Sequence, residues 1–327
     1  MKKLLIIRFS ALGDTAMLLP VVRSLAIACP DMSITMLSQS KWAALWNNMP
    51  QNVSFFGADL KGRHKGLKGL NTLLTDINFR QFNLVADMHN VWRSKYITLR
   101  CSLVGIKCCG LDKQRIQRWL LTHGHKRQLR PMALAYTDVL YRLGFNSINI
   151  TIPTIHTVCS NKKIGIAPFA AHKGKTYPLE KMEQVVSMLS AKKYSIILFG
   201  GKGREAQMLE EWQQKYDNVY SVAGTLSLDR EIELMGNLSL MITMDSANLH
   251  LASLASTRVV SIWGATHPMA GFFPKQQSTD DCIQLNLPCR PCSIYGNKSC
   301  HFGDWRCLNI PPQDIVKHIE SAICKTL

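Results

Sequence analysis

No apolar run in these 327 residues approaches the roughly 18 needed to cross a bilayer as a helix, so no transmembrane span is expected. The opening Met1-Lys2-Lys3-Leu4-Leu5-Ile6-Ile7 starts as a secretory leader does. Arg8 and Asp14 then interrupt it, and no small-residue cleavage site follows. That pattern predicts a buried first strand and a cytoplasmic chain. No G-x-G-x-x-G follows this strand and no G-x-x-x-x-G-K-[ST] occurs, which argues against a nicotinamide or flavin dehydrogenase and against a P-loop enzyme. Glutamate is missing from residues 1–155, which hold 21 Lys and Arg against seven Asp, a net charge of +14; residues 156–327 carry only +3. A field gathered on one half points to an anionic partner, whether nucleic acid, anionic lipid or a phosphorylated substrate.

What is present is ordinary globular composition, 46% hydrophobic and 19% charged, enough for two domains with cores of their own. Short apolar strands alternate with helices in the first half: Leu4–Arg8, a helix from about Thr15 to Cys29, then strands at Ser33–Leu37, Val53–Phe56 and Asn83–Asp87. Lys61–Leu70 reads as a mobile basic loop, and Asp112–Arg130 is a second basic stretch around Trp119. Thr151–Lys163 reads as a linker, after which the pattern restarts with strands at Ile164–Ala167, Ser195–Phe199, Leu240–Met244 and Val259–Trp263 and a helix at Leu179–Leu189. Parallel βαβ units follow from this order, with ligands at the carboxyl ends of the strands. The predicted boundary falls between 155 and 156, with the last helix packing back onto the first domain.

Three segments carry chemistry. Arg8-Phe9-Ser10-Ala11-Leu12-Gly13-Asp14 lies at a strand-to-helix turn. There Gly13 permits close approach of a ligand, and Asp14 either caps the helix or accepts a proton from a hydroxyl. Ala170-Ala171-His172-Lys173-Gly174-Lys175-Thr176-Tyr177-Pro178 also follows a strand; small residues let its amides reach phosphate oxygens while a lysine supplies charge. Asp245-Ser246-Ala247-Asn248-Leu249-His250 ends a strand and opens a helix, a place to hold sugar hydroxyls and a phosphate. The alternative is that Asp245 is a cap and His250 a core histidine.

Taken together these segments resemble glycosyltransferase family 9, the ADP-heptose:lipopolysaccharide heptosyltransferases. The family's R-x-S-x-x-G-D matches Arg8, Ser10, Gly13 and Asp14, and its K-x-W-P matches Lys175-Thr176-Tyr177-Pro178 with Tyr for Trp. Its D-[ST]-G-x-x-H-L-A matches Asp245 through Ala252 with Ala247 for Gly, and Gly264-Ala265-Thr266-His267-Pro268 matches its G-x-T-x-P. The resemblance implies an α/β GT-B fold, two Rossmann-like domains with parallel sheets facing across a cleft: an acceptor domain over 1–155 and a nucleotide-sugar donor domain over 156–327. It implies an inverting, metal-independent transfer of a heptose from a nucleotide diphosphate, ADP-heptose first among them, to a lipopolysaccharide core or lipid A-type acceptor.

In that reading Asp14 is the general base and Lys175 neutralises the leaving diphosphate. Ala170, Ala171, Glu205, Asp245, Ser246, Ala247 and His250 complete the donor site. Arg8, Ser10, Gly13, Arg63, Lys65 and Arg118 meet the acceptor. Lys61–Lys68 and Arg115–Arg130, with Trp119, become surfaces for peripheral docking on the inner face of the cytoplasmic membrane. Ala170 and Ala171 stand where the family often has hydroxyl residues.

Cys289, Cys292, Cys300 and Cys307 make a C-x-x-C with two further thiols, a partial match to a structural zinc site. Two other classes fit parts of the sequence: a catalytically inactive homologue that only binds sugar nucleotide or lipid, and a basic nucleic-acid-binding protein with a zinc-ribbon-like tail. The second leaves Asp14, Lys175 and Asp245 idle and lacks the aromatic-basic pattern of an RNA-stacking sheet.

Overall fold

The first strand, β1 (Lys3–Ile7), has Leu4 through Ile7 fully buried on both faces, as a central parallel strand covered by helices on each side must be. It leads into α1 (Leu12–Ala28), β2 (Ser33–Gln39), β3 (Val53–Ala58), α2 (Gly66–Asp76), β4 (Leu84–Asp87), α3 (Trp92–Ser102) and β5 (Lys107–Gly110). The computed structural model describes residues 1–146, 148–155 and 162–324. It divides the chain into two units, Met1–Lys113 with Met132–Ile152, and Gln114–Pro131 with Pro153–Leu327. Part of the linker expected at Thr151–Lys163, residues 156–161, lies outside the described residues.

In the first unit all five strands are parallel in the order β3-β2-β1-β4-β5. Leu5, Ile7, Leu37, Leu70, Leu73, Val85 and Ile97 form the core under α2 and α3. The basic segment expected to be a mobile loop is ordered. The Asp59 carboxylate accepts the amides of Lys61, Gly62 and Arg63, which lowers its pKa, and α2 begins at Gly66. Arg63 makes a two-bond ion pair with Asp76 (2.7 and 2.8 Å), and buried His64 reaches the same carboxylate at 3.0 Å. Local side-chain acceptors thus replace the disorder that glycine and lysine content suggested.

After β5 the chain runs through α4 (Arg115–Thr122) before returning to the first unit as α5 (Met132–Leu143). The stretch with α4 belongs to the second unit. Leu121 and Leu129 pack with Ala270, Leu129 N–H donates to Met269 O at 2.9 Å, and Arg118 is buried with its guanidinium 2.5 Å from the Tyr295 hydroxyl and over the Phe272 ring. This placement redistributes the charge. The first unit carries +9 and the second +8, so the asymmetry seen between sequence halves does not separate the folded units.

The second unit continues with β6 (Lys163–Ala167), α6 (Leu179–Ala191), β7 (Ser195–Leu198), α7 (Arg204–Lys215) and β8 (Val219–Ser221). It ends with α8 (Leu228–Gly236), β9 (Leu240–Met244), α9 (Ala247–Leu254), β10 (Val259–Trp263), β11 (Cys282–Gln284) and α10 (Pro312–Cys324). Its six strands are parallel in the order β11-β10-β9-β6-β7-β8. The final helix, expected to cross to the first domain, packs on α6 in this unit, and Ile315, Val316, Ile319 and Ala322 lie in its core.

Candidate functional site

Each sheet has one place where successive crossovers diverge to opposite sides, and in open parallel sheets ligands bind at such a place, beyond the carboxyl ends of the strands. In the first unit that place lies between β1 and β4; in the second, between β6 and β9. All three sequence-predicted segments leave strands at these two positions.

In the first unit β1 delivers Arg8 and α1 delivers Asp14. Arg8 is buried, donates to Met88 O at 2.5 Å, lies over the Tyr136 ring and forms an ion pair with Asp14 Oδ2. The same oxygen accepts the Ala11 amide at 3.2 Å, so the carboxylate closes the first turn of α1. Tyr136 OH donates to the Asp14 carbonyl at 3.2 Å, fixing the backbone beneath it. Asp14 is therefore a cap and also a partly open carboxylate, 20% exposed at its side chain. Among the described residues no protein group engages its Oδ1.

β4 brings a partner that the sequence reading missed. His89 Nδ1 accepts the Phe9 amide at 3.4 Å, and its Nε2 lies 3.2 Å from Ser10 Oγ. With Nδ1 accepting, the proton sits on Nε2 and is donated to Ser10, which leaves the serine hydroxyl hydrogen to point outward. Burial, aided by the positive charges of Arg8 and Lys113, pushes the His89 pKa down to about 3, so the ring is neutral at physiological pH. Buried Asp87 fixes this loop by accepting the amides of His89 (2.9 Å) and Asn90 (2.7 Å) and the Ser94 hydroxyl (2.8 Å); burial raises its pKa against those bonds. The signal was present as Asp-Met-His-Asn at the end of a parallel strand. Arg63 and Lys65 lie on the α2 side of the unit, and Gly13 is buried in the first turn of α1.

In the second unit Lys175 Nζ and Asp245 Oδ2 are paired at 2.8 Å, both largely buried, and Thr266 Oγ1 donates to the same oxygen at 2.7 Å. The loop carrying Lys175 is a tight turn, with Lys175 N–H on His172 O (3.0 Å) and Thr176 Oγ1 on His172 O (3.2 Å). It is held to the β10 loop by Ala265 N–H donating to Gly174 O at 2.7 Å. Gly174 is needed at this approach: a Cβ there would meet Gly296 O and the Trp305 ring at 2.8 Å. Tyr177, in place of the family's Trp, is fully buried and donates its hydroxyl to Ile310 O at 2.6 Å, so the exchange leaves no orphaned polar atom.

Ser246 stands at the N-cap position of α9 without a side-chain capping bond, its hydroxyl 3.1 Å from Thr243 Oγ1; Ala247 begins that helix and His250 is buried on it. Ala170 is half-buried and Ala171 exposed at the mouth of the Lys175 loop. Glu205 accepts the Gly201 amide at 2.7 Å, closing the glycine turn before α7.

A second residue missed from sequence is Arg290. Its buried guanidinium donates to Gly264 O (2.5 Å), Thr266 O (2.9 Å), Leu285 O and Gln284 Oε1 (3.0 Å). It thereby sets the strand-end loop whose Thr266 touches Asp245. The neighbouring Cys289, Cys292 and Cys300 are half-buried free thiols and Cys307 a buried one; burial raises the pKa of Cys292 and takes that of Cys307 up to about 11. Among the described residues no group of three or more His, Cys, Asp or Glu side chains is placed as a metal ion would require.

Residues 72–302 match the family described as glycosyltransferase family 9 (heptosyltransferase). The chain is 22% identical over 288 residues to the lipopolysaccharide core heptosyltransferase OpsX of Haemophilus influenzae, covering 82% of this chain and 80% of that protein. The structure resembles a family 9 glycosyltransferase from Veillonella parvula with a TM-score of 0.76 at 19% identity, over 99% of this chain and 98% of that one. It also resembles the ADP-heptose lipopolysaccharide heptosyltransferase II of E. coli, with a TM-score of 0.70 at 18% identity over 99% of both chains.

Proposed function

Because the chain belongs to glycosyltransferase family 9, the heptosyltransferase family, we propose that it moves a heptose from ADP-heptose to a lipopolysaccharide-core acceptor, inverting the anomeric carbon without a metal. The activities for which its relatives are named support the donor and the acceptor class. One observation carries the chemical reading: Asp14 Oδ2 is anchored by Arg8 and the Ala11 amide, while Oδ1 is left to accept a proton.

The acceptor hydroxyl loses its proton to Asp14 Oδ1 as its oxygen attacks the anomeric carbon; the bond to the diphosphate breaks on the opposite face, giving inversion in one displacement. Arg8 holds the carboxylate in register and stays paired as it is protonated. The outward Ser10 hydroxyl, oriented by His89, donates to an acceptor oxygen. Lys175 offsets negative charge on the leaving diphosphate, with the amides around Ala170 and Ala171, and Asp245 Oδ1 takes donor sugar hydroxyls. Ser246, Ala247, His250 and Glu205 shape the donor side; Gly13, Arg63 and Lys65 the acceptor side. Arg118, held by Tyr295 and Phe272, supports the second unit and touches the acceptor only if that packing loosens.

The protein works at the cytoplasmic face of the inner membrane, where such an acceptor is presented; no helix among the described residues is long and apolar enough to cross a membrane. The test mixes the purified protein with ADP-heptose and a lipid A-type acceptor, in buffer with and without EDTA. Stoichiometric ADP and a product heavier by one heptose support the reading. Absence of both, with ADP still stabilising the fold in a thermal-shift panel of nucleoside diphosphates, identifies an inactive homologue instead.

A further inference from the structure

The outward face of α3, with Leu103 and Val104 of the turn that follows it, carries a row of large apolar side chains that the first unit does not bury. Trp92 is 52% exposed, Leu99 56%, Leu103 72% and Val104 42%. At 3.6 residues per turn, positions 92, 99 and 103 fall within roughly 20° of a common line along the helix, so they form one stripe. Lys95 flanks it on one side, Arg93 and Arg100 on the other, and no Asp or Glu occurs from residue 88 to 111. The Arg93 guanidinium lies over the Trp92 ring, 4.9 Å from its centroid.

This face continues onto α2. The Tyr96 hydroxyl and Arg100 both donate to Asn71 Oδ1 at 2.7 Å, and α2 exposes Leu67 beside Lys65 and Lys68. Contiguous apolar side chains left in water mark an interaction surface. An apolar stripe lined on both sides by cations matches the acyl–headgroup boundary of an anionic leaflet, where the rings and leucines enter and the ammonium and guanidinium groups meet phosphates. A second copy of the chain fits worse, because a symmetric contact would bring like-charged borders together.

We propose that the α3 stripe, extended by the start of α2, is the surface by which this protein rests on an anionic bilayer. The inference deepens the reading of the acceptor as a lipid-borne molecule, but its geometry is independent of the transfer chemistry. It adds Trp92, Leu99, Leu103 and Val104 to the docking residues expected from the sequence.

The test sediments the full chain with vesicles of phosphatidylglycerol and phosphatidylethanolamine, and with phosphatidylcholine alone. The wild type should pellet with the first and stay in solution with the second. Leu99→Glu with Leu103→Glu should lower the bound fraction at least about tenfold at both low and high salt, since two leucines no longer enter the apolar boundary. Arg93→Glu with Lys95→Glu should lower it at low salt and lose its effect at high salt. Melting temperature should hold in both, and ADP release with a lipid-free acceptor should keep its wild-type rate. That release also separates failure of this surface from failure of the transfer reaction. Leucine variants that pellet like wild type would overturn the proposal. So would variants that break up an oligomer in light scattering, or that lose activity toward the lipid-free acceptor.

Discussion

The two units share a topology and place a carboxylate at the same kind of crevice, yet they treat it differently. Asp14 sits in the first turn of a helix, tied at one oxygen to a buried arginine, with its side chain 20% exposed. Asp245 ends a strand, lies almost wholly buried, and shares one oxygen between a lysine and a threonine hydroxyl. A carboxylate that must take up a proton needs access and a fixed orientation, and the first arrangement supplies both. One that orders a ligand needs a dry, pre-paired setting, which the second supplies. The comparison teaches that, under the proposed reading, burial and partner alone suit the two acids to different work.

The sharpest way to break this contrast is Asp14→Asn, which keeps the shape and removes the base. Turnover should fall by about 1,000-fold with the KM for the donor unchanged, read from initial rates of ADP release. Equal losses in both parameters would place Asp14 in binding instead. Lys175→Ala should show the opposite character. It leaves Asp245 buried without its cation, so thermal or denaturant unfolding should lose about 3 kcal/mol, and ADP affinity should drop with it. An unchanged melting curve would deny the pair its structural weight.

A smaller effect is expected at His89. Its lowered pKa means that the ring binds no proton between pH 5 and 9, so nitrogen NMR should show a neutral Nε2–H tautomer down to about pH 4. His89→Phe should raise the acceptor KM about fivefold with little change in the donor KM, because the Ser10 hydroxyl loses its orienting donor. A ring titrating near the ordinary value for histidine would remove the basis for that assignment. The mildest effect belongs to Arg63→Ala: its pair with Asp76 is on the surface, so the melting temperature should stay put while the acceptor KM rises a few-fold in a steady-state assay.

Much of the fold was legible because buried parallel strands are short runs of Leu, Ile and Val. β1, β4, β6, β7, β9 and β10 stand within a residue or so of their expected positions. β5 was not legible: Lys107-Cys108-Cys109-Gly110 has neither length nor β-branched residues, and only pairing with β4 makes it a strand. The ordered Lys61–Lys68 turn was hidden because its order comes from Asp59 and Asp76, charges that composition reads as solvated. The membership of α4 was hidden because Leu121, Leu129 and Ala270 are far apart in sequence.

In the candidate sites, the placement of Asp14, Lys175 and Asp245 just beyond strand ends was readable from motif order. Neither the pairing of Lys175 with Asp245 nor the support from His89 and Arg290 was, since each depends on a contact between loops that leave different strands.

Calorimetric titration of ADP into the Asp14→Asn variant, paired with its turnover, tests the division of labour most directly. Wild-type ADP affinity with turnover nearly abolished is the predicted result. Wild-type turnover, or ADP binding lost together with it, would contradict the assignment of proton transfer to the first unit and donor binding to the second.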